Sequence, residues 1–174
     1  MKNKKIFVFS AVASLCIVVL AFDSSSQSSA SATVSFRVAP SLSLSVWGEN
    51  PAGNDLISVY IIPRPTPQER QAGFIERLKA LQLLARSNVP WVLRVRAQEP
   101  DMGPSDDGLY RKPVGDFQVR ATRGLYIPVT LHDQAIASGI PGEYLLPVDY
   151  RVRLGTEHRD GNYRVTLIYT LTSR

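Results

Sequence analysis

An all-β, immunoglobulin-like sandwich is the fold this sequence predicts. Three observations carry the prediction: many short segments alternate apolar and polar residues, Gly- and Pro-rich turns separate them, and Asp160-Gly161 is a strong turn signal between two of the last segments. Alternation with a period of two buries one face of a strand and leaves the other in water.

The first such segment runs from Val34 to Val46. Val34, Phe36, Val38, Pro40, Leu42, Leu44 and Val46 alternate with Ser, Arg and Ala. The segment is long for one strand, and Pro40, which cannot donate to a ladder, marks an edge, a bend or a crossover between sheets. A turn region follows from Trp47 to Asn54, then a strand over Leu56–Ile62 that stops at Pro63-Arg64-Pro65-Thr66-Pro67. Residues 68–86 read two ways. Phe74, Leu78, Leu81 and Ala85 fall at helical spacing, whereas Leu81, Leu83 and Ala85 alternate. The expectation is one or two helical turns over Gln68–Glu76 and a strand from about Leu78 to Arg86. Trp91–Ala97, Phe117–Ala121 and Leu125–Leu131 are further strands, with a long polar loop over Gln98–Lys112. Val148–Leu154 and Tyr163–Thr172 are expected to close the fold as a hairpin.

The N-terminus sets the compartment. Lys2, Lys4 and Lys5 precede an apolar run from Ile6 to Phe22, and a Ser-rich stretch ends in Ala30-Ser31-Ala32. This is the layout of a secretory signal peptide, so residues 1–32 are expected to be removed and 33–174 to form a single secreted or cell-surface domain. The alternative is an uncleaved membrane anchor, but a spanning helix needs about 20 apolar residues and this run is shorter. Cys16, the only cysteine, lies inside the run and is preceded by Leu15, which does not suit lipidation. The part after Ala32 therefore holds no disulfide and no thiolate.

The formal charge of the chain is +5; losing three lysines and Asp23 with the leader leaves +3. The two remaining lysines, Lys79 and Lys112, and fifteen arginines are scattered, with no basic block interleaved with aromatics, so nucleic acid is not an expected partner. No membrane contact is expected once the leader is gone. A mildly basic exported domain can lean on acidic polymers.

Chemistry-bearing residues are sparse. His132 and His158 show no zinc spacing, and His158 beside Asp160 reads as turn polarity. Glu99, Asp101, Asp106, Asp107 and Gly108 share one loop but lack the alternate-residue pattern of a calcium loop. No serine stands in a Gly-x-Ser-x-Gly elbow. No catalytic residue, metal or cofactor is expected. Trp91 and Tyr169 sit among aliphatics. Core packing explains them, and an exposed sugar-stacking surface is the sharper alternative.

Those two residues also carry a resemblance. Trp91-Val92-Leu93, with the terminal Tyr163-Arg164-Val165-Thr166-Leu167-Ile168-Tyr169-Thr170-Leu171-Thr172, resembles the WxL cell-wall-binding domains, although Ile168 stands where those have Thr and Tyr169 where they have a second Trp. Gly161, Tyr163, Leu167, Tyr169 and Leu171 are also similar to the last strand of spore-coat-U-like and fimbrial sandwiches. Both resemblances imply a non-enzymatic structural or binding protein whose partner is a cell-wall polymer or another surface protein. Trp91, Leu93, Tyr163, Leu167, Tyr169 and Leu171 then form a wall-binding or core motif. A pilin-like subunit is the alternative: Val34, Phe36, Val38, Leu42, Leu44 and Val46 would form a strand lent to a neighbour, giving filaments.

Overall fold

The computed structural model describes residues 37–48 and 53–174. The expected signal segment 1–32, and Val34 and Phe36 of the expected donor strand, lie outside the described residues.

The fold is an all-β sandwich. Its strands are β1 (Leu42–Val46), β2 (Asp55–Ile61), β3 (Phe74–Ser87), β4 (Trp91–Ala97), β5 (Asp101–Pro104), β6 (Arg111–Pro113), β7 (Phe117–Ala121), β8 (Ile127–Pro128), β9 (Gln134–Gly139), β10 (Gly142–Arg153) and β11 (Arg164–Ser173). One sheet has the order β1-β3-β10-β7-β8, the other β2-β11-β4-β9, and β5 and β6 form a small ribbon of their own. All pairings are antiparallel. In an immunoglobulin domain the two sheets read A-B-E-D and C-F-G. Here β1, β3, β10 and β7 take the A-B-E-D places, β4 and β11 take C and F, and chain order agrees throughout. β2, from between the first and second strands, lies in the place of G.

The core lies between the sheets. Leu44, Leu83, Phe117, Val119, Val148 and Tyr150 meet Leu93, Val95, Leu167, Tyr169 and Leu171, all at most 2 % exposed. At its centre the hydroxyls of Tyr150 and Tyr169 lie 3.0 Å apart, one from each sheet. Tyr60 of β2 packs edge-on against Tyr150 and Phe117, with ring centroids 5.0 and 5.9 Å away. Trp91 closes one end. Its indole N–H donates to the Ile140 carbonyl at 3.0 Å and its ring tilts against Tyr144 at 5.3 Å. It lies so close over Gly139 that a Cβ there would stand 2.5 Å from the ring.

Several expectations need correction. The final hairpin does not exist: β10 pairs with β3 and β7, β11 with β2 and β4, so these consecutive strands lie in opposite sheets. The link between them is long, and Asp160 is tied to neighbouring loops, its carbonyl accepting from Asp106 N–H and its carboxylate from Arg70, both at 2.9 Å. Of the long first strand expected over Val34–Val46, the described part from residue 37 on is strand only over Leu42–Val46, because Asn88 takes the Ser41 N–H and the Ala39 carbonyl with its side chain, which ends the ladder. The helix is Pro67–Ala72 rather than Gln68–Glu76. Thr66 and Glu69 cap its start reciprocally, and Gly73 at φ 79° ends it, so the chain is already extended at Phe74. The strand expected over Leu125–Leu131 is only Ile127–Pro128, and the polar loop 98–112 holds β5 and the start of β6.

Replacing one phenol of the central pair leaves the other hydroxyl buried without it. Tyr169→Phe is expected to lower stability by about 1–3 kcal/mol, and the Tyr150→Phe/Tyr169→Phe double variant to lose less than the two single losses added. Urea unfolding of the four proteins checks this; strict additivity would show that the hydroxyls do not interact.

Candidate functional site

The sequence-predicted motif is core. Trp91, Leu93, Tyr163, Leu167, Tyr169 and Leu171 are each at most 2 % exposed, so neither Trp91 nor Tyr169 offers a face to a sugar. Of the expected donor strand, Leu42, Leu44 and Val46 belong to β1, paired with Ser87, Ala85 and Leu83 of β3, while Val38 is exposed.

The polar loop is a clamp of ion pairs. Asp101 receives two bonds from Arg111 (2.9 and 2.8 Å) and the Gly103 N–H. Asp107 accepts from the Ser105 hydroxyl, the Leu109 N–H and Arg159; these three, in that order, draw its carboxyl down to about 2. Asp106 lies 3.5 Å from Arg64. Among the described residues no group of three or more His, Cys, Asp and Glu is placed to hold a metal. His132 is exposed. His158 is not a solvent-facing turn residue: it packs on Tyr163 at 5.9 Å, and both its ring nitrogens are buried without partners. Nearby, Lys112 is fully buried with its ammonium 3.1 Å from Asp116.

The site that sequence reading missed lies on the outer face of the larger sheet. Where β3 crosses β10, Val148 pairs with Leu81 and Tyr150 with Arg77, so Leu78, Lys79 and Ala80 stand opposite Asp149 alone. The chain bulges there, and Lys79 takes φ 52°, a left-handed conformation that costs a residue with a Cβ about 1–3 kcal/mol. Asp149 holds it: one carboxylate oxygen accepts the Lys79 N–H at 2.8 Å, the other takes both Arg120 bonds at 2.9 and 2.6 Å. Burial pushes the Asp149 carboxyl up, but these bonds outweigh it and leave the group below the usual carboxylate range. Thr122 also has a positive φ, 56°, and it faces the same hollow. Leu78, Lys79, Arg120, Arg123, Pro147 and Asp149 line the rest of this open pocket of about 390 Å³. Lys79 and Arg123 are exposed, and neither side chain forms an ion pair among the described residues.

A stacked ladder continues from the pocket. Arg120 lies 4.3 Å over Tyr126, and Arg151 sits 3.9 Å from Tyr126 and 4.7 Å from Phe74, while also reaching Glu76 at 2.7 Å. Burial, with Glu76 next, pushes the Tyr126 hydroxyl up to about 12, and that hydroxyl has no partner of good hydrogen-bond geometry. The Arg151 bond, then Tyr126, holds Glu76 below its ordinary value. Cation–π stacking of this kind fixes the guanidinium groups against the sheet. The only sequence signal for the site was the mixed periodicity of residues 74–85.

Chemically the arrangement is a net-cationic hollow, with Lys79, Arg120 and Arg123 against Asp149 and with Leu78 and Pro147 as its apolar members. Comparison with protein-family models, with curated proteins and with solved structures returned no match. Among the described residues no helix is long and apolar enough to cross a membrane.

Burial, then the positive charges of Lys112 and Arg70, holds His158 below the ordinary imidazole value of 6.5. The unfolded chain thus takes up a proton that the folded one refuses, and stability should be level above that value and fall as pH drops below it. Thermal unfolding between about pH 5 and 8 should show this acid limb, and His158→Gln should flatten it. An unchanged limb in the variant would assign it elsewhere.

Proposed function

We propose that the chain is an exported, non-enzymatic structural or binding domain of the cell surface, which associates with anionic cell-wall or matrix polymer through the Lys79 hollow. One observation carries the reading. Among the described residues the two non-glycine residues with left-handed backbones, Lys79 and Thr122, flank one pocket, and there Lys79 and Arg123 hold exposed charges that form no ion pair with any other described residue. Strain of this kind persists where surrounding structure enforces it, and it gathers at binding sites. The leader-like N-terminus and the WxL-like residues support the same compartment. The burial of Trp91 and Tyr169 moves the binding role away from aromatic stacking and onto charge.

The filament reading through residues 33–46 has less behind it. Leu44 is fully buried in the protein's own sheet, and β2 already lies beside β11 where a lent strand would add.

Isolated bacterial cell walls should sediment the protein at low salt and release it as salt rises, since exposed charges are screened. Lys79→Gly with Arg123→Ala should weaken retention by roughly tenfold, the scale of two lost charge contacts at about 0.7 kcal/mol each. Lys79→Gly alone should unfold no earlier than the parent, because glycine removes the left-handed strain. Recovery in the supernatant at every salt concentration would end this reading.

A further inference from the structure

We propose that two copies of this chain pair through the free edge of β2, antiparallel and about a two-fold axis at Ser58. The proposal does not depend on what the Lys79 hollow binds.

An edge strand is a template for another strand unless it is blunted by shortness, proline, charge or a bulge. Three of the four edges of the two main sheets are blunted. β8 is two residues long and contains Pro128, the outward Leu44 N–H of the five-residue β1 already donates to the Gly53 carbonyl at 2.8 Å, and β9 pairs irregularly with β4. β2 carries none of these devices along Leu56–Ile61. Its seven residues pair with β11 without a break, and its outer face shows Ile57, Val59 and Ile61 at 66, 60 and 75 % exposure.

Its hydrogen-bond phase is fixed. Ile62 N–H donates to the Tyr163 carbonyl and Leu171 N–H to the Asn54 carbonyl. By alternation, Leu56, Ser58 and Tyr60 turn their main-chain groups to β11, while those of Asp55, Ile57, Val59 and Ile61 face the open edge. An antiparallel copy centred on Ser58 brings these four residues into register with their counterparts, Ile57 opposite Val59 and Asp55 opposite Ile61. About eight main-chain bonds form, and β-branched side chains meet across the seam.

Charge selects the same arrangement. Asp55 lies at one end of the outer face and Arg164, the cross-strand neighbour of Ile61, at the other. Among the described residues neither has an ion-pair partner. The antiparallel copy sets each Asp55 beside the Arg164 end of its partner, whereas a parallel copy would set Asp55 against Asp55. A two-fold pairing is self-complementary and closes as a dimer rather than growing into a filament.

Sedimentation of the purified full chain, in mild detergent to keep the N-terminal apolar run dispersed, tests this. A concentration-dependent dimer is expected. Val59→Lys should weaken it at least tenfold without altering the circular dichroism spectrum, since the side chain is exposed. Asp55→Arg should weaken it several-fold, and adding Arg164→Asp should restore it. A monomer at every concentration, a dimer indifferent to both Val59→Lys and Ile57→Lys, or open-ended filaments would each overturn the proposal.

Discussion

The hydroxyls of Tyr150 and Tyr169 meet in the middle of the core, and the placement of both sheets depends on that contact. Burying two phenols is favourable only if their oxygens are satisfied, since an unpartnered buried hydroxyl costs free energy. Each tyrosine sits on the central part of its own sheet, β10 between β3 and β7, β11 between β2 and β4. Tyr60 packs edge-on and Phe117 tilted against the Tyr150 ring, with centroids 5.0 and 5.1 Å away, and both Tyr150 and Tyr169 are buried. Burial raises the pKa of both phenols and keeps them neutral, so each can donate or accept. A single polar bond thus fixes the offset of two otherwise apolar faces. Apolar packing alone, being non-directional, would fix it less sharply.

From that offset the topology follows. Two consecutive strands that face each other across a core cannot also be a hairpin, so β10 and β11 need the long link that crosses between sheets. The link is held by Arg70 and Asp106 on Asp160 and by the Tyr163 hydroxyl on the Arg159 carbonyl. β2 covers the side of β11 away from β4, placing Tyr60 against Tyr150. The same placement leaves β2 at the edge, its apolar outer residues unshielded.

How much of this was legible in the sequence can be read residue by residue. Where one face is buried and the strand is regular, alternation located it: Trp91–Ala97 and Phe117–Ala121 match their strands end to end. The inward set of the last strand was also right, because its period never slips. Residues 74–85 misled because three residues oppose one at Asp149. That insertion throws Leu78 out to 64 % exposure, so Phe74, Leu78, Leu81 and Ala85 mimic a helical face that does not exist. β9 was invisible because Gln134–Gly139 has little strand propensity; its place is dictated by the indole of Trp91, which leaves room only for glycine at 139. Asp160-Gly161 carried a genuine local preference, overruled by partners far away in the chain. Trp91 and Tyr169 are core, the first of the two roles the sequence offered for them; the sugar-stacking alternative stood open because sequence shows which face a side chain shares and not whether that face is covered.

The irregular stretch of β3 shows why the site escaped a pattern-based reading. Regular strands are recognisable because each residue repeats its neighbour's environment two positions on, whereas a bulge is defined by the residue opposite. Asp149 contributes an outward carboxylate to a strand whose inward residues, Val148 and Tyr150, are core. Its two oxygens divide between the backbone of β3 and the guanidinium of Arg120 on β7, so it joins three strands at one point. The left-handed Lys79 is held in place by that carboxylate. The cost of its conformation is offset by a hydrogen bond to an ionised acceptor, which contributes about 1.5–3 kcal/mol. Lys79 and Arg123 are exposed and line the same hollow, and the positive charge of Lys79 adds to what holds the Asp149 carboxyl low. The hollow thus gathers Lys79, Arg120 and Arg123 around one carboxylate, Asp149, and three cations against one anion leave its net charge positive.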